Sequence, residues 1–327
     1  MEKIGKVFTL DDAKRRISPS LPYTLPPLTT VLDKDIEDFH KGVIDIHIHG
    51  APDARILGRP SMLESAKKAS AAGWKGVVFK DPFSMSSDKA WIIQKSIEDW
   101  CSDREFNPVN VFGGLVLNYP VGGLNIEAVK AALGGEYLEH TKCIWMPSIS
   151  SAWQWSFTGR EGGITILENG KLKPVVKEIV HLVASAPKKV CIGSSHLSYP
   201  EKLTLAQETK DAGVSLVINH ATQELTCTSL DEAKELIQMN CWIELAEASI
   251  LGVPTVLPEE IHNVDHTFNL IKELGPSRIV LASDSGQPGN NPVDALGTLI
   301  RMLLIRGFNK EDLITMTKVN PAKIIGL

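Results

Sequence analysis

The sequence lacks the long apolar run that a membrane span requires. No segment of its 327 residues approaches the roughly 18 consecutive apolar residues that cross a bilayer. The first residues, Met1 to Lys6, do not contain the apolar core that a secretory signal peptide has. We therefore expect a cytoplasmic protein that has no membrane partner.

Cysteine pairs and single-sign charge runs are also missing. The 5 cysteines are odd in number, scattered and never arranged as Cys-x-x-Cys, which argues against a disulfide framework or a zinc ribbon. Lysine and arginine total 34 against 39 acidic residues, a net charge of −5, and no basic stretch stands out. This balance predicts no nucleic-acid partner. We expect a small-molecule substrate and a homo-oligomer.

The motifs of several enzyme classes are absent. The sequence contains no G-x-G-x-x-G or Walker-type loop, which disfavours an open nucleotide-binding sheet. It also has no G-x-S-x-G segment, which disfavours a serine hydrolase of the α/β type.

Strand-like and helix-like segments alternate from Val43 onwards. Apolar runs predict eight strands, at 43–49, 75–80, 111–117, 143–146, 190–193, 215–219, 242–245 and 279–282. Amphipathic stretches such as 61–72, 126–133, 201–212, 230–239 and 293–305 predict helices between them. Eight such units favour an α/β fold of the (β/α)₈ TIM-barrel type over an open doubly wound sheet. We expect residues 43–327 to form this barrel and residues 1–42 to form a short N-terminal extension packed on it.

The first predicted strand ends in the segment Asp45-Ile46-His47-Ile48-His49. Side chains alternate along a strand, so Asp45, His47 and His49 should share one face and the isoleucines the other. Two imidazoles placed in this way converge on a point beyond the strand, as a divalent ion needs. Asp45 lies one pleat deeper, where we expect it to orient an imidazole N–H.

Polar residues follow other predicted strands at corresponding positions. Lys80 ends the second strand, His196 follows the fifth, His220 follows the sixth and Asp284 follows the eighth. Each residue is weak evidence when it is taken singly. Because a barrel builds its site at the carboxyl ends of its strands, the imidazoles and the carboxylate together predict one cavity.

This pattern resembles the amidohydrolase superfamily of metal-dependent hydrolases. His47 and His49 match its H-x-H motif on strand one, His196 and His220 match its histidines on strands five and six, and Asp284 matches its aspartate on strand eight. The ending Asn320-Pro321-Ala322 to Gly326-Leu327 is similar to a segment that follows the last barrel helix in many members. The lack of room for an added β-sandwich resembles the compact, barrel-only members.

The resemblance implies one or two divalent ions held by these five residues. It also implies a metal-activated hydroxide, with Asp284 as general base and with His220 ligating a second ion or polarising the substrate carbonyl. Imidazole and carboxylate ligands without thiolate suit Zn²⁺, Mn²⁺, Fe²⁺, Co²⁺ or Ni²⁺, and zinc is the default.

Lys80 departs from the family pattern, in which many members carry a carboxylated lysine on strand four. Here the fourth strand ends in Trp145-Met146-Pro147, so Lys80 is the candidate. It could form a carbamate that bridges two ions, stay protonated and bind an anionic substrate group, or reach solvent. These alternatives leave the number of ions open.

Loop residues are candidates for substrate binding. Arg55 or Arg160 could bind a carboxylate through two hydrogen bonds. Trp153 and Trp155 could wall a flat or cyclic substrate, or simply pack the loop. His262 and His266 have the spacing of helical metal ligands but lie on a polar face, and we expect them to face solvent.

We therefore expect a hydrolase that cleaves an amide, cyclic amide or related C–N bond of a small molecule. A single-metal decarboxylase of an aromatic or unsaturated acid is the alternative on the same scaffold. A non-catalytic binding barrel is a further alternative, disfavoured because no ligand of the motif is missing.

Overall fold

The computed structural model describes residues 31–252 and 264–327. Within these ranges eight parallel strands form one sheet whose spatial order follows the chain. The strands are β1 (Ile44–Ile48), β2 (Gly76–Phe79), β3 (Asn110–Val116), β4 (Thr141–Trp145), β5 (Cys191–Gly193), β6 (Leu216–Ile218), β7 (Trp242–Ala246) and β8 (Ile279–Ala282). A parallel bridge between Ile48 and Ser285 joins the first strand to the segment after the last one. The predicted (β/α)₈ barrel is confirmed, and each predicted strand matches to within two residues at either end.

Helices on the outside of the barrel connect the strands. They are α1 (Asp33–His40), α2 (Met62–Ala71), α3 (Ser87–Cys101), α4 (Ile126–Ala132), α5 (Tyr137–His140), α6 (Ala152–Phe157), α7 (Pro174–Ala184), α8 (Tyr199–Asp211), α9 (Leu230–Gln238), α10 (Glu247–Leu251), α11 (Val264–Leu274), α12 (Pro292–Ile305), α13 (Lys310–Ile314) and α14 (Asn320–Ile325). Serine caps begin several of them. The Ser61 hydroxyl accepts from the Glu64 amide, and the Glu64 carboxylate accepts from the Ser61 amide in return. None of the helices in the described ranges is long and apolar enough to cross a membrane.

The barrel interior is filled by side chains from the strands themselves. Val78, Trp145, Val217 and Val280 belong to one buried cluster, which Ile324 and Ile325 of α14 extend. A second, larger cluster lies between the strands and the surrounding helices. Apolar residues fill the barrel interior below the carboxyl ends of the strands. The polar residues that follow the strands therefore lie at the mouth that these carboxyl ends form.

β1 departs from simple alternation. Its register with β2 shifts between Asp45 and Ile48, so β1 carries one extra residue there. Ile44 and Ile46 join the interior cluster, whereas Ile48 packs in the layer under the helices. The prediction of a single face for the three isoleucines is therefore wrong, because a bulge reverses the alternation that follows it.

The long connection after β4 contains α6 and a small hairpin. Two short antiparallel strands, Leu167–Glu168 and Lys171–Leu172, pair across Asn169 and Gly170. Both turn residues have positive φ, 50° and 74°, as a two-residue Asn-Gly hairpin turn requires.

The described part of the N-terminal extension is α1, whose Ile36 and Phe39 are buried. Arg301 of α12 donates to the backbone of Val31 and pairs with Asp33 at 2.5 Å. Residues 1–30 lie outside the described residues, so the packing of the whole extension stays a prediction.

Candidate metal centre

Three imidazole nitrogens surround the carboxylate of Asp284. The Nε2 atoms of His47 and His49 lie 3.2 and 3.0 Å from its Oδ1 atom, and His220 Nε2 lies 3.4 Å from Oδ2. One ligand atom each from His47, His220 and Asp284 can be chosen so that all lie within 4.8 Å of one another. Residues at the carboxyl ends of β1, β6 and β8 thus lie close to one point.

His196 joins this group from β5. Its ring centroid lies 5.0 Å from that of His220, and its Nδ1 atom lies 2.7 Å from Gln154 Oε1. An amide oxygen at Nδ1 accepts a hydrogen bond from the ring, which leaves the Nε2 lone pair for another partner. The structure therefore brings together all five residues that the sequence pattern singled out as ligands.

The backbone is in an unusual conformation at three positions around the site. Ser195, His220 and Asp284 have φ values of 46°, 48° and 50°, and each lies two residues beyond the end of its strand. Residues other than glycine rarely adopt this left-handed region, and those that do cluster at functional sites. Two of these turns carry His220 and Asp284, whose side chains approach to 3.4 Å between Nε2 and Oδ2.

Glu244 of β7 was missed by the sequence analysis. Its Oε1 atom lies 2.8 Å from His47 Nδ1 and accepts from the His220 amide at 3.2 Å, and its Oε2 atom accepts from Asn219 Nδ2 at 2.8 Å. The side chain is fully buried. An acidic residue inside the apolar run Trp242 to Ala246 is the signal that could have revealed it, because a buried carboxylate needs partners.

Asp45 does not orient an imidazole, which corrects that expectation. Its carboxylate accepts backbone N–H groups, from His47 at 3.0 Å and from Ser283 at 3.1 Å. The bulge in β1 turns Asp45 away from the ligand face and towards the backbone of the eighth strand. It therefore holds β1 against the segment that precedes Asp284.

Burial and charge set the protonation of the site. Burial holds the pKa values of His47, His196 and His220 well below the usual range. Burial opposes ionisation of Asp284 as well, but the hydrogen bond from His49 and the positive charge of Lys80 favour its anion, and the pKa of Asp284 is lowered. Neutral imidazoles beside an ionised carboxylate are the forms that bind a metal ion.

The residues fit a divalent ion. Three buried imidazole nitrogens have no hydrogen-bond partner among the described residues: His47 Nε2, His49 Nδ1 and His220 Nδ1. Buried polar atoms are normally satisfied, so His47 Nε2, which is unpaired and lies 3.2 Å from Asp284 Oδ1, calls for a ligand. Nitrogen and oxygen donors without sulfur suit zinc and its first-row neighbours.

A cavity of about 340 Å³ opens above these residues. Its lining comprises His49, Asp53, Arg55, Ile56, Arg59, Lys80, Pro82, Phe83, Ser148, Ile149, Gln154, His196, His220, Gln223, Asp284 and Gln287. Lys80 is 2% exposed and follows β2 directly. Two residues expected near the site, Arg55 and Lys80, thus line this cavity.

Trp153, Trp155 and Arg160 do not belong to the cavity lining. The Trp153 indole donates to the Leu225 carbonyl at 2.7 Å, and the Trp155 indole donates to the Ile149 carbonyl at 2.9 Å. The Arg160 guanidinium lies 4.0 Å above the Trp155 ring. The two indoles anchor α6 on either side of Gln154, and this residue is the one that lines the cavity.

His266 of α11 does not join the centre. His266 is half-buried and its Nε2 atom lies 2.9 Å from the Thr228 carbonyl oxygen, so the expectation that it faces solvent is wrong. His262 lies outside the described residues.

The chain belongs to a family of unknown function (DUF6282), whose model matches residues 42–244. No curated protein matches the sequence. Among solved structures, the probable dipeptidase PvdM from Pseudomonas aeruginosa is 13% identical with a TM-score of 0.57, over 90% of this chain and 97% of that one. An amidohydrolase from the same organism is 12% identical with a TM-score of 0.57, over 89% and 98%.

A third similar structure is a probable 2-pyrone-4,6-dicarboxylic acid hydrolase from Acinetobacter baumannii, solved with citric acid bound. It is 15% identical with a TM-score of 0.52, over 88% of this chain and 100% of that one. At these identities the likeness establishes the fold. It confirms the barrel fold that the resemblance to the amidohydrolase superfamily implied.

Proposed function

We propose that this protein is a metal-dependent hydrolase that cleaves an amide, cyclic amide or related C–N bond of a small molecule. The observation that carries the proposal is the convergence of three imidazole Nε2 atoms on the Asp284 carboxylate, at the mouth of the barrel. The names of the similar structures, a probable dipeptidase, an amidohydrolase and a pyrone dicarboxylic acid hydrolase, support hydrolytic chemistry on this fold.

His47, His49, His196, His220 and Asp284 would hold one or two divalent ions, of which zinc is the default. A divalent ion in such a site lowers the pKa of water towards neutrality and polarises an oxygen of the substrate. The buried ligands keep their neutral or anionic forms without help, because burial already disfavours protonated imidazole.

Asp284 is suited to move the proton. Its carboxylate lies at the centre of the imidazole group, and 8% of the residue is exposed to the cavity where a substrate would lie. It would take a proton from the attacking water and pass it to the leaving nitrogen. His220, whose Nε2 atom also faces this point, would polarise the carbonyl or ligate a second ion.

The proposal is tested by elemental analysis and by turnover of a panel of amides and cyclic amides. The wild-type chain should hold at least one ion, and His47→Ala/His49→Ala should hold none. Asp284→Asn should lose turnover. His181→Ala, which removes an exposed histidine of α7, is the matched control. One ion per chain in the double variant, or undiminished turnover in Asp284→Asn, would refute the assignment.

A further inference from the structure

The wall of the cavity above the metal centre carries one unbalanced positive charge. Arg55, Arg59 and Asp53 line this wall, and Lys80 and Asp284 line the cavity next to the metal centre. The Asp284 carboxylate already contacts the imidazoles of His47, His49 and His220, and Lys80 lines the cavity beside the same metal centre. The balance at the cavity wall is therefore decided by the two arginines and Asp53.

Asp53 and Arg59 neutralise each other. Arg59 Nε lies 2.9 Å from Asp53 Oδ2, and both side chains are 5% exposed. Arg59 Nη1 also donates to the Gly286 carbonyl at 2.9 Å, which ties the loop after β1 to the segment just beyond Asp284. Asp53 and Arg59 therefore form a buried ion pair that stabilises the loop after β1, and their charges cancel.

The same aspartate fixes the backbone that carries Arg55. Asp53 Oδ1 accepts from the amides of Arg55 and Ile56, each at 2.8 Å. This turn holds Arg55 at the cavity wall. Arg55 is exposed at this wall, and no described residue accepts a hydrogen bond from its guanidinium or forms an ion pair with it.

We infer that the substrate of the proposed hydrolase carries a carboxylate group, which Arg55 binds while the scissile bond lies over Asp284. An arginine fork matches the two oxygens of a carboxylate in one plane. Ile56, Phe83 and Ile149 line the same cavity and provide an apolar surface for the carbon skeleton between the two ends. A volume of about 340 Å³ limits that skeleton to a small molecule.

This inference rests on the proposed function, and calorimetric titration of the metal-loaded protein tests it. The probes are glutarate, its diamide glutaramide, and methyl phosphate. Glutarate should bind more tightly than the other two. Arg55→Gln should weaken glutarate binding by roughly tenfold or more, because charge-assisted hydrogen bonds are lost, and should leave the diamide unaffected.

Two further variants separate this effect from general changes of charge. Arg104→Gln removes an exposed arginine near the end of α3, outside the cavity, and should bind glutarate like the wild type. Arg160→Gln should behave like Arg104→Gln, since Arg160 stacks on Trp155 outside the cavity lining. A loss in Arg160→Gln with none in Arg55→Gln would overturn the inference.

The remaining outcomes are decisive as well. Equal binding of glutarate and glutaramide, or preferential binding of methyl phosphate, would refute a carboxylate subsite. The titrations are repeated without added metal. If glutarate still binds more weakly to Arg55→Gln than to the wild type, but no variant binds metal or turns over an amide, the proposed function fails and the Arg55 subsite stands. If turnover depends on metal but is unchanged in Arg55→Gln, the proposed function stands and the Arg55 subsite fails.

Discussion

His47 Nδ1 lies 2.8 Å from Glu244 Oε1, and both side chains are fully buried. A carboxylate at Nδ1 accepts the ring N–H, fixes the tautomer and leaves the Nε2 lone pair facing Asp284. Because Glu244 also accepts from Asn219 and from the His220 amide, one side chain of β7 orients groups from β1 and β6. Its role in positioning ligands can be tested without any knowledge of the substrate.

Glu244→Gln should lower the affinity for the metal ion by roughly 10- to 100-fold, the usual effect of losing a partner of a ligating histidine. The amide keeps the shape of the side chain but removes its charge, and it presents a donor to Asn219 where an acceptor is needed. Competition with a chromophoric chelator measures the change.

Glu247→Gln is the matched control for this variant. Glu247 is also buried, with its pKa raised by burial to about 7, but it accepts its hydrogen bond from Asn290 at 3.2 Å. It should retain wild-type metal affinity. Equal affinity in both variants would show that the Glu244 contact does not position a ligand.

Gln154 is expected to fix the tautomer of His196 in the same way. In metal-free protein, nitrogen NMR of the ring should show the proton on Nδ1, because the Gln154 oxygen lies 2.7 Å away. Gln154→Leu should give a mixture of tautomers, whereas Gln207→Leu, at an exposed position of α8, should not. A proton on Nε2 in the wild-type protein would contradict the predicted arrangement.

The ligand group could be predicted from sequence because each member depends on local pattern alone. The position of His220 or Asp284 follows from where an apolar run ends, and barrel topology then gathers all strand ends at one mouth. That argument does not depend on the packing of individual side chains. For this reason the sequence alone could predict both the positions of the strands and the convergence of the five ligand candidates.

Glu244 and Asp45 could not be assigned in the same way. The partner of Glu244 is nearly 200 positions earlier in the chain, so its role depends on which side chains meet across the barrel. Asp45 follows the expected alternation only until the bulge in β1, which no residue pattern announces. Trp153 and Trp155 draw attention by their size, yet Gln154 between them is the residue that lines the cavity.

Lys202 gives a prediction about pH. It is almost fully buried in α8, where its ammonium donates to the Thr226 carbonyl at 2.7 Å, and Thr226 in turn donates to the His220 carbonyl. Burial lowers the pKa of Lys202 to about 8 from an ordinary value of 10.5. Between these values the unfolded chain binds a proton that the folded chain does not, so the stability of the fold rises with pH.

We expect the free energy of unfolding of the wild type, relative to Lys202→Met, to increase by about 3 kcal/mol between pH 7 and pH 10.5. Urea unfolding at several pH values measures this difference. Lys210→Met, which removes an exposed lysine of the same helix, controls for the general loss of a positive charge. A difference between wild type and Lys202→Met that does not change with pH would mean that the Lys202 pKa is not depressed by burial.

The final prediction concerns Lys80, whose side chain is 2% exposed on the cavity floor. Burial lowers the pKa of its amine, although Asp284 and Glu244 oppose the effect. A neutral amine can attack carbon dioxide, forming a C–N bond and releasing a proton to give an anionic carbamate. Such a group, placed beside β1, could bridge two ions.

We therefore expect a carbamate on Lys80 and two ions per chain. Lys80→Ala should lose one ion, and short carboxylic acids such as acetate should restore it by supplying the missing bridge. Lys89→Ala, which removes the lysine that pairs with the neighbouring Asp81, should keep both ions. Electron density for additional atoms on Lys80 Nζ in a metal-loaded crystal would support the bridge directly. An unmodified Lys80 beside a single ion would refute it, and would favour the single-metal decarboxylase, because a free ammonium could then bind an acid substrate.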